Sequence, residues 1–555
     1  MATPARDARR PPWRNWHKRL RWDWMSTALS ATIAGGATAR LVGGSWGLPL
    51  DLNPDEFVIV RGALDMAKRH SFEPGYFFRP DHLEIQLSNL AYLAYSHIFH
   101  GSSPETLYAK FPAPFILISR SITACFGIAM IVLVYLIGKR FARPVGVLAA
   151  FLVAFYPPFV THSHFASPDV PLSLALMIVI LGCMRYLTSP SRGNLLLSCL
   201  GVSVAIAIKY PGALGALMIA VTVIVSGVRA RAWSRILVHG VAAIAAVVGF
   251  LFAISPVLFT NAHATLSTLM AQAGDTHAGA DGLSWSGNMA YYATGLATSA
   301  GVILLVSFAL GVLWSIRLRL LQSIPLWLGA VVWVLLSRVP LHWERWALPM
   351  DLTPLLIAPI GIYYSLRYLR DKRANSSGRA ARWLPLGAVG LAVVMAANLV
   401  AGSVAASARY VAKDTQTFAP RLAARGVTAA NTVSEGYSPL LPGLYNNIFW
   451  MFDVTGGRLV LKSHDKNHAG KQYAVLSSDL FARYMVDPKY GAEQRFYATM
   501  DKQYPLLTSY VPVQQTRSVL ELASIWGSVG YVADIARGGF SGPTIKLYEI
   551  PADRR

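Results

Sequence analysis

Apolar runs of bilayer length recur along this chain, and they restrict its fold more than any other feature. A hydrocarbon core about 30 Å thick needs roughly 20 apolar residues in a helix, because lipid offers no partners to backbone N–H and C=O groups. Eleven such spans are predicted, near 25–47, 112–138, 144–161, 168–188, 194–209, 212–228, 236–255, 288–316, 322–338, 347–366 and 384–404. Composition agrees: of 555 residues, 54% are hydrophobic and 14% charged, against about a quarter charged in soluble domains. The expected fold class is a polytopic α-helical membrane protein of about 11 transmembrane helices.

The net charge of +22 would suit nucleic acid if it formed a basic face with interleaved aromatics, and it does not. Lys and Arg instead gather in short connections: Lys139, Arg140 and Arg143; Arg185 and Arg192; Arg229, Arg231 and Arg235; Arg317 and Arg319; and Arg367 to Arg382. The segment 256–287 has none. This asymmetry predicts a cytoplasmic N-terminus and an outward C-terminus. Residues 1–24 read as a cytoplasmic basic arm rather than a cleavable signal, since no small-residue cleavage site follows the first span. Cys125, Cys183 and Cys199 fall inside spans, so no structural disulfide is expected.

Residues 25–404 form the predicted transmembrane catalytic domain. Its first loop, about 48–111, has two amphipathic segments, 56–69 and 84–99, with the periodicity of helices lying in the membrane interface. Segment 256–287 reads as a Gly-, Asp- and His-rich loop. Residues 405–555 read as a small α/β domain, with strand-like Tyr473–Leu476 and Thr544–Ile550 and helix-like Asp479–Met485 and Val519–Trp526.

Because spans alternate in direction, the notable polar residues are expected at one outward face. They are Asp55, Glu56, Asp81, His82 and Glu84 in the first loop, then His162, His164 and Asp169, then Lys209, then His342, Glu344 and Arg345. Carboxylates with imidazoles and two cations suit group transfer from a phosphate-bearing lipid. Lys or Arg would hold the phosphate, and a carboxylate would take the proton of an attacking hydroxyl. Plainer readings stand beside these. Asp55 and Glu56 follow Pro54, so they either only cap the helix or cap it and supply the base, and Asp169, after Pro168, either caps the fourth span or is a reactive group. Lys209 either snorkels or binds phosphate, and Arg345 either anchors an aromatic belt or does the same. His82 and Glu84, one residue apart, could be two metal ligands on one side of an extended segment.

At these residues the chain resembles the GT-C superfamily of integral membrane glycosyltransferases. The similar branch holds bacterial transferases related to protein O-mannosyltransferases and to the lipid A aminoarabinose transferase. Pro54-Asp55-Glu56 looks like that branch's acidic opening motif, and Ser167-Pro168-Asp169-Val170-Pro171-Leu172 like its second-aspartate segment. Ala207-Ile208-Lys209-Tyr210-Pro211 resembles its lysine-bearing turn, and Glu344-Arg345-Trp346-Ala347-Leu348-Pro349 its basic residue before Leu-Pro.

The resemblance implies a bacterial inner-membrane enzyme. It would move a sugar, with inversion, from a polyprenyl-phosphate donor to a hydroxyl or phosphate group of a lipid, glycan or protein acceptor outside the cytoplasm. It implies catalytic roles for Asp55, Glu56 and Asp169, with Asp55 as the base or as the residue that orients the acceptor hydroxyl, and donor-phosphate binding by Lys209 and Arg345. Glu84 matches a metal-binding glutamate of the aminoarabinose branch, so Mg, Mn or Zn would sit at Glu84 with His82 as a second ligand. The text Asp81-His82-Leu83-Glu84 departs from the family pattern, so either His82 replaces a ligand or metal is absent. A multi-pass transporter or lipid flippase is the rival class. It would carry its ionisable groups near mid-membrane on paired repeats, and no repeat is evident here.

Overall fold

The computed structural model describes residues 23–50, 52–74, 82–273, 279–374, 379–442, 452–455, 458–461, 472–486 and 488–550. Residues 1–22 of the basic arm and Asp81 lie outside them. Every predicted span is occupied by helix, yet among the described residues five helices are long and apolar enough to cross a bilayer alone: Ala113–Gly138, Asp169–Thr188, Tyr210–Arg229, Trp233–Ile254 and Trp383–Val411. The run 288–316 is broken. It is two helices, Trp285–Ala300 and Val302–Arg317, bent by 109° at Gly301, whose φ of +82° suits glycine.

Several other predicted spans are short helices that stop inside the protein. Arg143–Ala154 ends before Pro157, Arg192–Ile208 ends at Lys209, and Leu328–Leu336 ends before the turn Glu344–Ala347. Irregular backbone at such depth is tolerated only where protein covers it or it lines a cavity. Two of the breaks carry Lys209 and Arg345, so departures from regular spans and polar residues coincide there. Arg40 makes one break possible. Its buried guanidinium donates to the carbonyls of Val153 at 2.9 Å and Ala154 at 2.8 Å, satisfying the end of helix Arg143–Ala154.

Helix Asp169–Thr188 is the most enclosed span, packed by Ala113–Gly138, Arg192–Ile208 and Gly215–Arg229. Small residues permit the close approaches. A Cβ at Gly361 would collide with the Ser307 carbonyl oxygen, so helix Leu352–Ala374 lies backbone to backbone on Val302–Arg317.

The first loop contains helices Pro54–Arg69, His82–His100 and Pro104–Lys110. The segment 256–287 is not simply a loop, since Val257–Thr260 and Ala262–Ala273 are helical. Beyond the long helix Arg379–Val411 lies a four-stranded sheet ordered 432–434, 473–477, 545–549, 506–510, its first pair parallel and the others antiparallel. Helices Ser478–Tyr484 and Gly491–Gln503 pack on it, and Glu521–Ala536 lies along Arg379–Val411.

Candidate active site

The first acidic pair is divided by its helix. Asn53, not either acid, is the N-cap of Pro54–Arg69, its Oδ1 accepting the Asp55 N–H at 2.9 Å. Both carboxylates are thereby released from capping. Glu56 is fully buried and grips Arg120 through two bonds, Nε to Oε1 at 2.7 Å and Nη2 to Oε2 at 2.8 Å. Its Oε1 also accepts the Ala166 N–H at 3.0 Å. Arg120 Nη1 donates to the Gly44 and Trp46 carbonyls at 2.9 and 2.6 Å. Glu56 thus braces the first loop against the Ala166–Asp169 turn, a different place from the cluster that Asp55 joins.

Asp55, Asp169, Lys209 and Arg345 come together from four separate segments. Asp169 begins its helix and is buried. Its Oδ1 accepts Lys209 Nζ at 2.6 Å, its Oδ2 accepts Ser167 Oγ at 3.1 Å, and Arg345 Nε lies 3.6 Å from Oδ2. Arg345 Nη1 reaches Asp55 Oδ2 at 3.3 Å. Lys209 is placed by the extended residue that ends helix Arg192–Ile208, before the turn Tyr210–Leu214. Arg345 is held over the Trp343 ring at 4.9 Å, and Lys209 over Trp346 at 5.6 Å.

Exposure separates the partners. The Asp169 and Asp55 side chains are 1% and 10% exposed, whereas those of Lys209 and Arg345 are 16% and 26% exposed. The cations therefore line the open side of the cluster, where an anionic ligand would meet them, and the acids hold them from behind. A cleft beside them is lined by Asp169, Leu172, Lys209, Pro211, Trp346 and Pro349. His162 lies within electrostatic reach of Asp169, Arg345, Asp55 and Arg409.

The C-terminal domain covers this cluster with residues that sequence reasoning missed. Arg483 lies 4.8 Å over the Tyr437 ring and 6.0 Å over that of Trp343, whose neighbour is Arg345. Tyr437 takes a left-handed φ of 63° and feels the charge of Asp55. A bulky residue held in that region marks a site worth chemical attention. Lys489 Nζ bonds Asp281 at 2.8 Å, and the His342 N–H donates to the Ala280 carbonyl at 2.7 Å, clasping the loop between domain and bundle. No local signal announces Tyr437 or Arg483. Arg120 did carry one, as a lone arginine inside an apolar span.

The two candidate metal ligands lie on one helix. His82 opens the helix His82–His100 rather than an extended segment, so residues 82 and 84 project about 200° apart around its axis. Both are fully buried, and Glu84 Oε1 accepts from Thr123 Oγ1 at 2.7 Å. Among the described residues no three His, Cys, Asp or Glu side chains gather around one point.

With this geometry in view, comparison with known proteins is informative. A family model described as dolichyl-phosphate-mannose-protein mannosyltransferase matches residues 118–260, a stretch that includes Arg120, Asp169 and Lys209. The fold is similar to that of the oligosaccharyltransferase AglB from Archaeoglobus fulgidus, solved with an inhibitory peptide and a dolichol-phosphate. That match has 13% identity and a TM-score of 0.51, and covers 90% of this chain and 74% of the other. ArnT from Cupriavidus metallidurans in the apo state matches with 14% identity and a TM-score of 0.48, over 96% of this chain and 98% of the other. The same ArnT bound to undecaprenyl phosphate matches with 13% identity and a TM-score of 0.46, over 87% and 96%. No curated protein sequence matches the chain.

Proposed function

With the chain's resemblance to the GT-C glycosyltransferase superfamily met by the family match and the shared fold, we propose that it transfers a sugar from a polyprenyl-phosphate donor to an acceptor hydroxyl at the Asp55–Arg345 cluster. The observation that carries this reading is the meeting of Asp55, Asp169, Lys209 and Arg345, with the cations toward the opening. The dolichyl-phosphate named for the matched family, and the dolichol-phosphate bound in AglB, support a lipid-phosphate donor.

In this reading Lys209 and Arg345 bind the donor phosphate, the first as a point charge and the second as a fork. Asp169 holds both cations in place and limits their mutual repulsion. Asp55 accepts the proton of the acceptor hydroxyl as its oxygen forms a bond to the anomeric carbon. The bond from that carbon to the phosphate oxygen breaks, and polyprenyl phosphate leaves as an anion that needs no protonation. Attack from the face opposite the leaving group inverts the anomeric centre. Arg345 touches both Asp55 and Asp169, so a phosphate that draws Arg345 toward itself frees the Asp55 carboxylate for the acceptor. Apolar helix surfaces take the isoprenoid chain, which contributes about 0.8 kcal/mol per buried CH₂ and does not distinguish one sugar from another. The outward face, the inner membrane and a lipid, glycan or protein acceptor belong to the same proposal.

Turnover of a labelled polyprenyl-phosphate sugar by the reconstituted protein tests it. Asp55→Asn should lower transfer by about 10²–10⁴-fold, the usual range for losing a general base, with donor affinity within a few-fold of wild type. Transfer by Asp55→Asn close to the wild-type rate would remove Asp55 from the chemistry.

A further inference from the structure

Helix Glu521–Ala536, in the part of the chain that reads as a water-soluble domain, has its amphipathic pattern inverted. The face turned into the protein carries Glu521, Ser524, Ser528 and Tyr531, all buried. The face turned outward carries Leu522, Trp526 and Val529, which are 63%, 74% and 50% exposed. A helix on a solvated domain places its apolar stripe inside, because burial of that stripe is what holds it. Polar residues inward and apolar residues outward are the arrangement of a helix whose surroundings are hydrocarbon.

Its position points the same way. The helix packs along Arg379–Val411, whose apolar stretch Trp383–Val411 is 29 residues long. That is about 43 Å of helix, more than a hydrocarbon core of about 30 Å. At its start the chain meets the bend in the bundle: the Val302 N–H donates to the Val519 carbonyl at 3.0 Å, and the Ile303 N–H to Glu521 Oε1 at 2.6 Å. Glu521 thus caps the broken helix Val302–Arg317, where Val302 and Val306 are themselves exposed apolar residues of a span. The outward stripe of Leu522, Trp526 and Val529 continues that lipid-facing surface. Charge returns only at the far end, where the exposed Asp534 and Arg537 pair at 3.0 Å.

We propose that helix Glu521–Ala536 is seated in the bilayer leaflet on the side of the C-terminal domain. Leu522 is then the deepest residue of the outward stripe, Trp526 sits below the headgroups, and Asp534 and Arg537 lie at headgroup level. The occupant of the outward face is lipid acyl chain. The helix fills the gap left by the bend at Gly301 and tethers the covering domain to the membrane.

The full-length protein reconstituted in phosphatidylcholine tests this through the emission lost in Trp526→Phe. That component should be quenched at least twofold by brominated acyl chains and little by aqueous iodide. Quenching by iodide but not by bromolipid would show a water-facing helix and overturn the proposal. Quenching by neither would show a face covered by protein and overturn it equally. As a second measurement, nitroxides at Leu522→Cys and Asp534→Cys in a Cys125→Ala background should divide. Position 522 should favour collision with oxygen and position 534 with an aqueous nickel chelate. The same preference at both positions would contradict the assigned depth.

Discussion

Asp55 and Glu56 are consecutive residues, yet a helix sets them about 100° apart, and that angle separates their chemistry. Glu56 faces Arg120 in full burial and Asp55 faces Arg345 at the opening. Removing one member of a buried hydrogen-bonded ion pair strands the other charge, which costs about 3–5 kcal/mol. Arg120→Met should therefore lower the melting temperature strongly and impair transfer through the displaced Ala166–Asp169 turn. Asp55→Asn should leave the melting temperature nearly unchanged. Thermal melts of the purified variants check both, and equal stability of the two variants would contradict the separation of roles. The candidate residues Asp55, Asp169, Lys209 and Arg345 were legible because carboxylates and cations at span ends are conspicuous. Which neighbour each acid would choose was not legible, since it depends on Asn53 taking the cap and on Arg120 lying 64 residues away.

Elements were legible wherever periodicity alone decides them. Each predicted span holds a helix, and strands Tyr473–Ser477 and Ile545–Glu549 fall on the predicted strand-like runs. Where helices stop was less legible. The bend at Gly301 depends on Glu521, some 220 residues later, and the end of Arg143–Ala154 depends on Arg40, more than 100 residues earlier. Hydropathy reads only the local run, so partners at such separations are invisible to it. The close helix contact at Gly361 gives a prediction at this scale. Gly361→Val should destabilise the bundle by about 1–3 kcal/mol through overpacking, because Ser307 backbone stands where the side chain would go. Gly387→Ala, with open space around it, should be neutral or stabilising by up to about 1 kcal/mol. Melting of both variants in the same lipid checks the pair, and a shift for Gly387→Ala as large as that for Gly361→Val would contradict the packing described.

Across the whole molecule, the bundle supplies the acids and cations while the C-terminal domain covers them through Tyr437 and Arg483. Stability of that cover should depend on pH through Glu435. Its carboxyl is buried, accepts from Tyr497 Oη at 2.6 Å and from the Ser477 N–H at 3.0 Å, and is pushed by burial from 4.5 up to about 8. The folded state therefore holds this proton more tightly than the unfolded chain. Stability is greatest below about 4.5, falls as pH rises toward about 8, and levels off above it. Glu435→Gln should flatten this dependence, which circular dichroism melts between pH 5 and 9 would detect as a smaller fall in melting temperature. The most direct test of the central claim pairs donor binding with transfer in one reconstituted preparation. Lys209→Ala and Arg345→Ala should each weaken binding of the polyprenyl-phosphate sugar by about tenfold or more, the loss of a charge-assisted contact of about 1.5–3 kcal/mol. Asp55→Asn should bind the donor normally and release almost no polyprenyl phosphate. Normal donor binding in both cation variants, with undiminished phosphate release in Asp55→Asn, would contradict the assignment of this cluster as the place where the sugar is moved.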